Sequence, residues 1–316
     1  MLPHVATFEW TADDIPDQRG RTILVTGASS GLGLRASKAL AARGARVLMG
    51  CRNPAKAAAA LADVRAAASL DAEVETIAVD LAELATVRSC AELVVATVPA
   101  LDVLVNNAGV MALPFRRTAD GFELQLGTNH LGHFALTGLL LPVLHRAPAP
   151  RVVAVSSNAH RLGRIRFDDL MGERRYGRWR AYGQSKLANL LFTIELDRRA
   201  RAAGSPLLAV AAHPGYASTH LQSAGAEMEG KRGVARIFAW GNQLLAQSDA
   251  DGALPELYAA TAATVHGGDY FGPSRFLEMR GHPKRVVGNR RARDPRVAAR
   301  LWAVSEELTG VTYPFA

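Results

Sequence analysis

The 316 residues are 49% apolar and 21% charged, the balance of a folded globular chain rather than a disordered one. No apolar run reaches the ~18 residues of a membrane-crossing helix, and residues 1–20 lack the basic start and apolar stretch of a secretory signal. The 37 basic and 29 acidic residues leave a net charge of +8, but the denser basic stretches, Arg161 to Arg180 and Lys284 to Arg300, match no DNA- or RNA-binding motif, so an arginine-rich protein with no nucleic-acid partner is expected.

Along the chain, short apolar runs alternate with helix-like segments. Ile23-Leu24-Val25 ends in a glycine-rich stretch, after which Ala36, Ala39 and Leu40 follow helical spacing up to Gly44. Val47-Leu48-Met49 is a second run. Asn53-Pro54 then opens an alanine-rich helix with a capping residue and a proline at its first position. Ile77-Ala78-Val79, Val103-Leu104-Val105, Arg151 to Ser157 and Leu207 to Ala212 are four more strand candidates. The runs are continuous rather than alternating, as strands buried on both faces should be. The expected fold is α/β: a doubly wound parallel sheet with helices on both faces. No Pro/Ser linker divides the chain, so residues 1–316 are expected to form one domain. It has an N-terminal extension over 1–20 and a C-terminal elaboration over about 219–316.

The stretch Thr26-Gly27-Ala28-Ser29-Ser30-Gly31-Leu32-Gly33 leaves the first strand and opens the first helix. Glycines there allow a tight turn and bring backbone close to a pyrophosphate, and the helix start offers unpaired N–H groups and a positive dipole end. The spacing is G-x-x-x-G-x-G, and a purely structural turn is the alternative. After the second strand comes Cys51-Arg52-Asn53, without the acid that would bond a ribose 2′-hydroxyl. Arg52 suits a 2′-phosphate instead, so NADP(H) is favoured, with NAD possible; the alternative is a solvated loop charge. Asp80 stands where an adenine amino group can be bonded, or caps the helix from Leu81 onward.

Tyr182 and Lys186 are four apart in a helix whose core stripe is Leu187, Leu190, Leu191 and Ile194. A lysine charge about 6 Å from the phenol, at an effective dielectric near 20, favours phenolate by about 3 kcal/mol, and a cationic nicotinamide ring would add to this. Such a tyrosine takes a proton from an alcohol or gives one to a carbonyl. Ser156-Ser157 ends the fifth strand and Asn106-Asn107-Ala108-Gly109 follows the fourth. Asn129 lies in an expected helix from Gly127 to His145, where an inward amide can hold a water. His130-x-x-His133 lacks a third ligand, so no metal is expected. Cys51 and Cys90 form no CxxC, which fits a reducing, cytoplasmic setting.

Together these residues resemble the short-chain dehydrogenase/reductase family over roughly Arg21 to Thr219. The motifs come in the family's order: T-G-x-x-x-G-x-G at Thr26 to Gly33, N-N-A-G at Asn106 to Gly109, Y-x-x-x-K at Tyr182 to Lys186, and His213-Pro214-Gly215 after the sixth strand. The resemblance implies a single Rossmann-type domain with a sheet of about seven strands, and hydride transfer between NAD(P)(H) and an alcohol/carbonyl pair on an apolar small molecule. It implies Tyr182 as acid/base, Lys186 as the residue that lowers its pKa and holds the nicotinamide ribose, Ser157 as the orienting hydroxyl and Asn129 as a proton relay. It also implies cofactor contacts at Gly27, Ser29, Ser30, Gly31, Leu32, Gly33, Arg52, Asp80, Leu81, Asn107, Ala108, Gly109, Tyr182, Lys186, Pro214, Gly215 and Thr219, a lid after Pro214-Gly215, and assembly into a homo-oligomer. One departure stands out. Ser157 and Tyr182 are 25 residues apart instead of about a dozen, and Ser156 competes with Ser157 for the active role. That insertion, with S-S-x-A-H at Ser156 to His160 and S-K-L-A-N at Ser185 to Asn189, resembles the retinol dehydrogenase and WW-domain oxidoreductase branch. A non-catalytic dinucleotide-binding protein is the alternative class.

Overall fold

The computed structural model describes residues 9–216 and 248–315. Eight strands form one sheet in the order β3-β2-β1-β4-β5-β6-β7-β8. They are β1 Thr22–Thr26, β2 Arg46–Cys51, β3 Val74–Ala78, β4 Val103–Asn106, β5 Arg151–Val155, β6 Leu208–Ala212, β7 Tyr270–Arg275 and β8 Arg280–Arg285. The pairings from β3 through to β7 are parallel, and only β8 runs antiparallel, on β7. The expected sheet of about seven strands is therefore present with one more at its edge. β8, Arg280 to Arg285, reads as charged and contains Pro283. It carries no apolar run that would mark it in sequence, and such composition suits an edge.

The continuous apolar runs serve two cores at once. Ile23 and Val25 of β1 face one cluster, with Leu40 of α1 (Gly31–Ala42), Val64 of α2 (Pro54–Ala67) and Leu257 of a later helix. Leu24, between them, faces the other cluster, with Val94 of α3 (Leu84–Thr97) and Phe134 and Leu141 of a helix after β4. Residues alternate across a strand, so only a strand covered on both faces needs apolar side chains at every position. Asn53 caps α2 by accepting the Lys56 N–H at 3.0 Å, with Pro54 at the first position, as the sequence predicts.

After β4 the helical segment is not uniform. A single turn, α4 (Leu124–Leu126), passes through a π-helical turn at Gly127–Leu131 into α5 (Gly132–Leu144). The plain helix expected from Gly127 to His145 is thus corrected at its first five residues. α6 (Arg178–Ala202) follows β5 and carries Tyr182 and Lys186 near its start. α7 (Asp249–Thr261) and α8 (Pro295–Thr309) are the remaining α-helices among the described residues. α8 packs on α6 and α5, burying Trp302 among Phe134, Phe192 and Tyr313. From residue 9 onward the N-terminal extension docks rather than trails: Trp10 is buried against Tyr258 of α7, ring centroids 5.2 Å apart. Among the described residues no helix is long and apolar enough to cross a membrane.

Candidate active site

The strand order reverses between β1 and β4, and crevices form there at the C-terminal ends of the strands. Registers Val25↔Val105, Asn106↔Ala154 and Val155↔Ala212 bring the loops after β1, β4, β5 and β6 into one row.

The first loop is shaped by its glycines. Gly27 has φ +69°, and a Cβ there would lie 2.9 Å from Ala108 Cα. At Gly33 a Cβ would meet Asn107 Nδ2 at 2.4 Å and Gly27 O at 2.6 Å, so only glycine lets α1 approach this closely. Ser30 stands at the N-cap of α1 without a side-chain capping bond. The first-turn N–H groups of Gly31, Leu32 and Gly33 therefore face outward with the positive end of the helix dipole. Ser29 hydrogen-bonds the Cys51 thiol, which burial pushes up to about 11. The loop is tied to the next one by Thr26: its Oγ1 accepts the N–H groups of Asn107 and Ala108, each at 3.0 Å, while Asn107 Nδ2 donates to Thr26 O at 2.7 Å. This cradle fits a dinucleotide pyrophosphate.

Arg52 is exposed at the end of β2, its Nε 3.9 Å from Asp80 Oδ2. Asp80 Oδ1 accepts the Ala82 N–H at 3.0 Å, so Asp80 shapes the turn before α3 and faces Arg52 with its other oxygen. Leu81 is buried in the core. Pro214 and Gly215 follow β6. Gly215 (φ +69°) lies against the β7–β8 turn, where a Cβ would be 2.5 Å from Met279 O. Thr219 and the segment read as a lid, up to residue 247, lie outside the described residues.

Tyr182 and Lys186 lie one turn apart on α6, both buried. Lys186 Nζ is 5.8 Å from the Tyr182 ring centroid, close to the separation that helical spacing predicts, and donates to Val155 O at 3.0 Å. The electrostatics differ from expectation. Burial pushes the Tyr182 phenol up to about 12, against a hydrogen bond from Ser157 that lowers it. Burial pulls Lys186 down to about 8, against the attraction of Glu256. The reckoning from separation alone omitted desolvation, which outweighs the ammonium's pull when both groups leave water.

The two serines are told apart by geometry. Ser156 is buried and donates from Oγ to Lys186 O at 2.8 Å, a brace between β5 and α6. Ser157 is the one whose hydroxyl acts on Tyr182, lowering its phenol against burial, and its Oγ accepts the Ala159 N–H at 3.2 Å. Asn129 sits in the π turn. Its Oδ1 accepts the Val110 N–H at 2.7 Å and its Nδ2 donates to Val110 O and Ser185 Oγ, both at 2.9 Å. The amide expected to hold a water is thus spent on protein partners. A Cβ on Gly109 would lie 3.1 Å from Asn129 Oδ1 and 3.4 Å from Lys186 Nζ, so the N-N-A-G loop runs directly against both.

Several participants went unread in the sequence. His133 Nδ1 bonds Asn129 O at 3.0 Å and its Nε2 pairs with Thr26 Oγ1 at 2.8 Å, linking the π turn to the glycine-rich loop. The only visible signal was the H-x-x-H pattern, which lacks the third ligand of a metal site and pointed to no other task. Glu256 of α7 is buried with neither carboxylate oxygen hydrogen-bonded among the described residues, and burial pushes it up to about 8 against the attraction of Lys186. No motif marked it.

The residues that carry the glycine-rich cradle and the Tyr182–Lys186–Ser157 cluster fall within the match to the short chain dehydrogenase family model, which covers residues 21–230. This chain belongs to the short-chain dehydrogenase family. As a short-chain dehydrogenase it is an oxidoreductase of CH–OH and C=O groups that works with a nicotinamide dinucleotide. It is 38% identical to retinol dehydrogenase 12 of Mus musculus, over 93% of this chain and 88% of that one. It is 39% identical to retinol dehydrogenase 14 of Homo sapiens, over 92% and 87%. A crystal structure of an uncharacterized protein from Mycobacterium paratuberculosis aligns with TM-score 0.78 at 46% identity, covering 97% of this chain and 99% of that one. A short chain dehydrogenase from Burkholderia cenocepacia in complex with NADP aligns with TM-score 0.62 at 22% identity, over 80% and 96%, a likeness of fold. The short-chain dehydrogenase described here thus falls in the retinol dehydrogenase-like branch that its serine-to-tyrosine insertion resembles.

Proposed function

We propose that the protein is an NADP(H)-preferring carbonyl reductase or alcohol dehydrogenase for an apolar small molecule, with Tyr182 as its acid/base. The observation that carries this reading is the buried Tyr182 with Lys186 one turn away on the same helix face, its Nζ 5.8 Å from the ring. The names of the retinol dehydrogenase relatives support an apolar alcohol or aldehyde as the substrate class.

The cradle of Gly27, Ser29, Ser30, Gly31, Leu32 and Gly33 would hold the pyrophosphate. Arg52 would pair with a 2′-phosphate, and Asn107, Ala108 and Gly109 would line the cleft beyond it. The nicotinamide, when bound, supplies or takes up the hydride. A phenol held near 12 keeps its proton at neutral pH, so Tyr182 stands ready to donate to a carbonyl oxygen as carbon accepts the hydride. Ser157 orients that oxygen. Asn129 acts by holding Val110, and so keeps Gly109 against Lys186. Ser156, spent on Lys186 O, braces the helix.

Tyr182→Phe should lower turnover by at least about a hundredfold while leaving NADPH affinity within about threefold. Turnover is followed by the absorbance of reduced nicotinamide, affinity by its fluorescence. Near-normal kcat in that variant would refute the assignment. Tight NADPH binding by the wild type with no turnover across a broad carbonyl panel would favour a binding protein instead.

A further inference from the structure

We propose that Glu278, on the turn between β7 and β8, is a positioning residue. It fastens the loop that carries Ser157 to the loop of Pro214 and Gly215, and so sets the nicotinamide end of the cleft. This rests on the reading of those two loops as the walls of that end. The turn has an uncommon backbone. Phe276, Leu277 and Glu278 stand at φ +50°, +55° and +64°, three consecutive side chains in the left-handed region that normally takes single glycines. Such backbone persists only where neighbouring contacts hold it. Burial does not hold the first two, for Phe276 is 69% and Leu277 92% exposed. The contacts converge on Glu278 and the residue after it.

On one side, Glu278 Oε2 pairs with Arg161 Nη2 at 3.0 Å, and Glu278 O accepts from Asn158 Nδ2 at 3.2 Å. Asn158 and Arg161 belong to the short 3-10 turn, Asn158–Leu162, that Ser157 caps. On the other side, Met279 O accepts the Tyr216 N–H at 3.0 Å and lies against Gly215. His213 joins the two sides. Its ring is fully buried against β7, where a Cβ on Gly272 would lie 2.0 Å from Nε2. Nδ1 accepts the Gly215 N–H at 3.2 Å, which puts the ring proton on Nε2, and Nε2 lies 3.4 Å from Glu278 Oε2. Burial, chiefly, lowers the His213 pKa, so the ring is neutral at neutral pH. One carboxylate thus stands between the guanidinium of one loop and the imidazole that holds the other. Val155 of β5 and Ala212 of β6 are register partners, so the two loops leave the sheet side by side. Their separation is what Glu278 controls, by bracing the residues that line the cleft.

The test compares NADPH with 2′-phospho-ADP-ribose, which keeps the pyrophosphate and the 2′-phosphate but lacks the nicotinamide. Both are titrated calorimetrically into the full-length wild type, Glu278→Ala, Glu278→Gln and Arg161→Ala; glutamine keeps the reach and an acceptor oxygen for Arg161. In Glu278→Ala, NADPH should bind about five- to tenfold more weakly, with 2′-phospho-ADP-ribose within about twofold of wild type. Glu278→Gln should recover most of that loss. Arg161→Ala, which removes the partner instead, should show the same selective loss, and it carries the test should Glu278→Ala fail to fold. A wild type that prefers NADPH, with that preference kept in Glu278→Ala and Arg161→Ala, overturns the proposal and leaves the reading of the two loops standing. An equal loss for both ligands, or no recovery in Glu278→Gln, overturns it too. Equal wild-type affinity for the two ligands brings down the reading of the loops and the proposal with it.

Discussion

Arg52 is a single exposed side chain on which, in the proposed reading, coenzyme choice turns. Its guanidinium faces Asp80 across 3.9 Å, a loose, solvent-screened pairing that a phosphate dianion would displace. Replacing Arg52 with Asp puts two carboxylates beside that position, and like charges repel a 2′-phosphate but leave a 2′-hydroxyl a hydrogen-bond acceptor. Arg52→Asp should weaken NADPH at least about tenfold and change NADH by less than about threefold, measured by fluorescence titration at fixed salt. Equal shifts for both coenzymes would remove the argument for NADP(H). At this scale the sequence was highly legible: Arg52, Tyr182 and Lys186 stand where strand ends and helical spacing put them. The protonation of Tyr182 was not, because it depends on how much water the fold removes, and no local spacing contains that.

Among the elements, the π turn at Gly127–Leu131 does the most for the site. π turns are rare and concentrate at functional positions. This one carries Asn129 to Val110 and Ser185 while turning His130 and His133 fully into the interior. Burial, chiefly, lowers His133 from 6.5 to about 4 and His130 to about 3. Both are neutral when folded, whereas the unfolded chain protonates them near 6.5. The stability that comes from keeping them neutral is therefore complete above pH 6.5 and drains away as pH falls through about 4 and then about 3. His133 alone accounts for roughly 3 kcal/mol. The melting temperature should be level from neutral pH down to about 6.5 and then fall steeply in acid, and His133→Gln should flatten that fall; a wild-type Tm insensitive to pH between 6 and 4 would contradict the burial of these rings as neutral groups. In sequence the segment looked like ordinary helix, since apolar periodicity cannot tell an i→i+5 turn from an i→i+4 one.

Across the whole molecule, the C-terminal residues complete the core rather than decorate it. Trp302 stacks on Phe192 at 5.9 Å and meets Tyr313 edge-on at 4.5 Å, with the Arg199 guanidinium 4.6 Å above its ring. Tyr313 donates from its hydroxyl to Phe134 O at 2.6 Å. This packing presses α8 and the tail onto α5 and α6, the helices that carry the active-site side. Trp302→Ala should cost about 3–5 kcal/mol, read from chemical denaturation, while NADPH affinity in the native protein stays within about twofold. A loss under 1 kcal/mol would mean that α8 contributes little to the fold.

The chain's own order of residues determined the doubly wound sheet, the phosphate cradle and the Tyr182–Lys186 pair. Each of these is written in short-range patterns: runs buried on both faces, glycines at a strand end, two side chains one helical turn apart. Tertiary structure alone decided which serine faces the tyrosine, where the Asn129 amide is spent, that Glu256 lies buried within reach of Lys186's charge, and that Glu278 stands between two loops distant in sequence. Those outcomes depend on contacts between residues far apart in the chain and on the exclusion of water, and both exist only once the layers have closed.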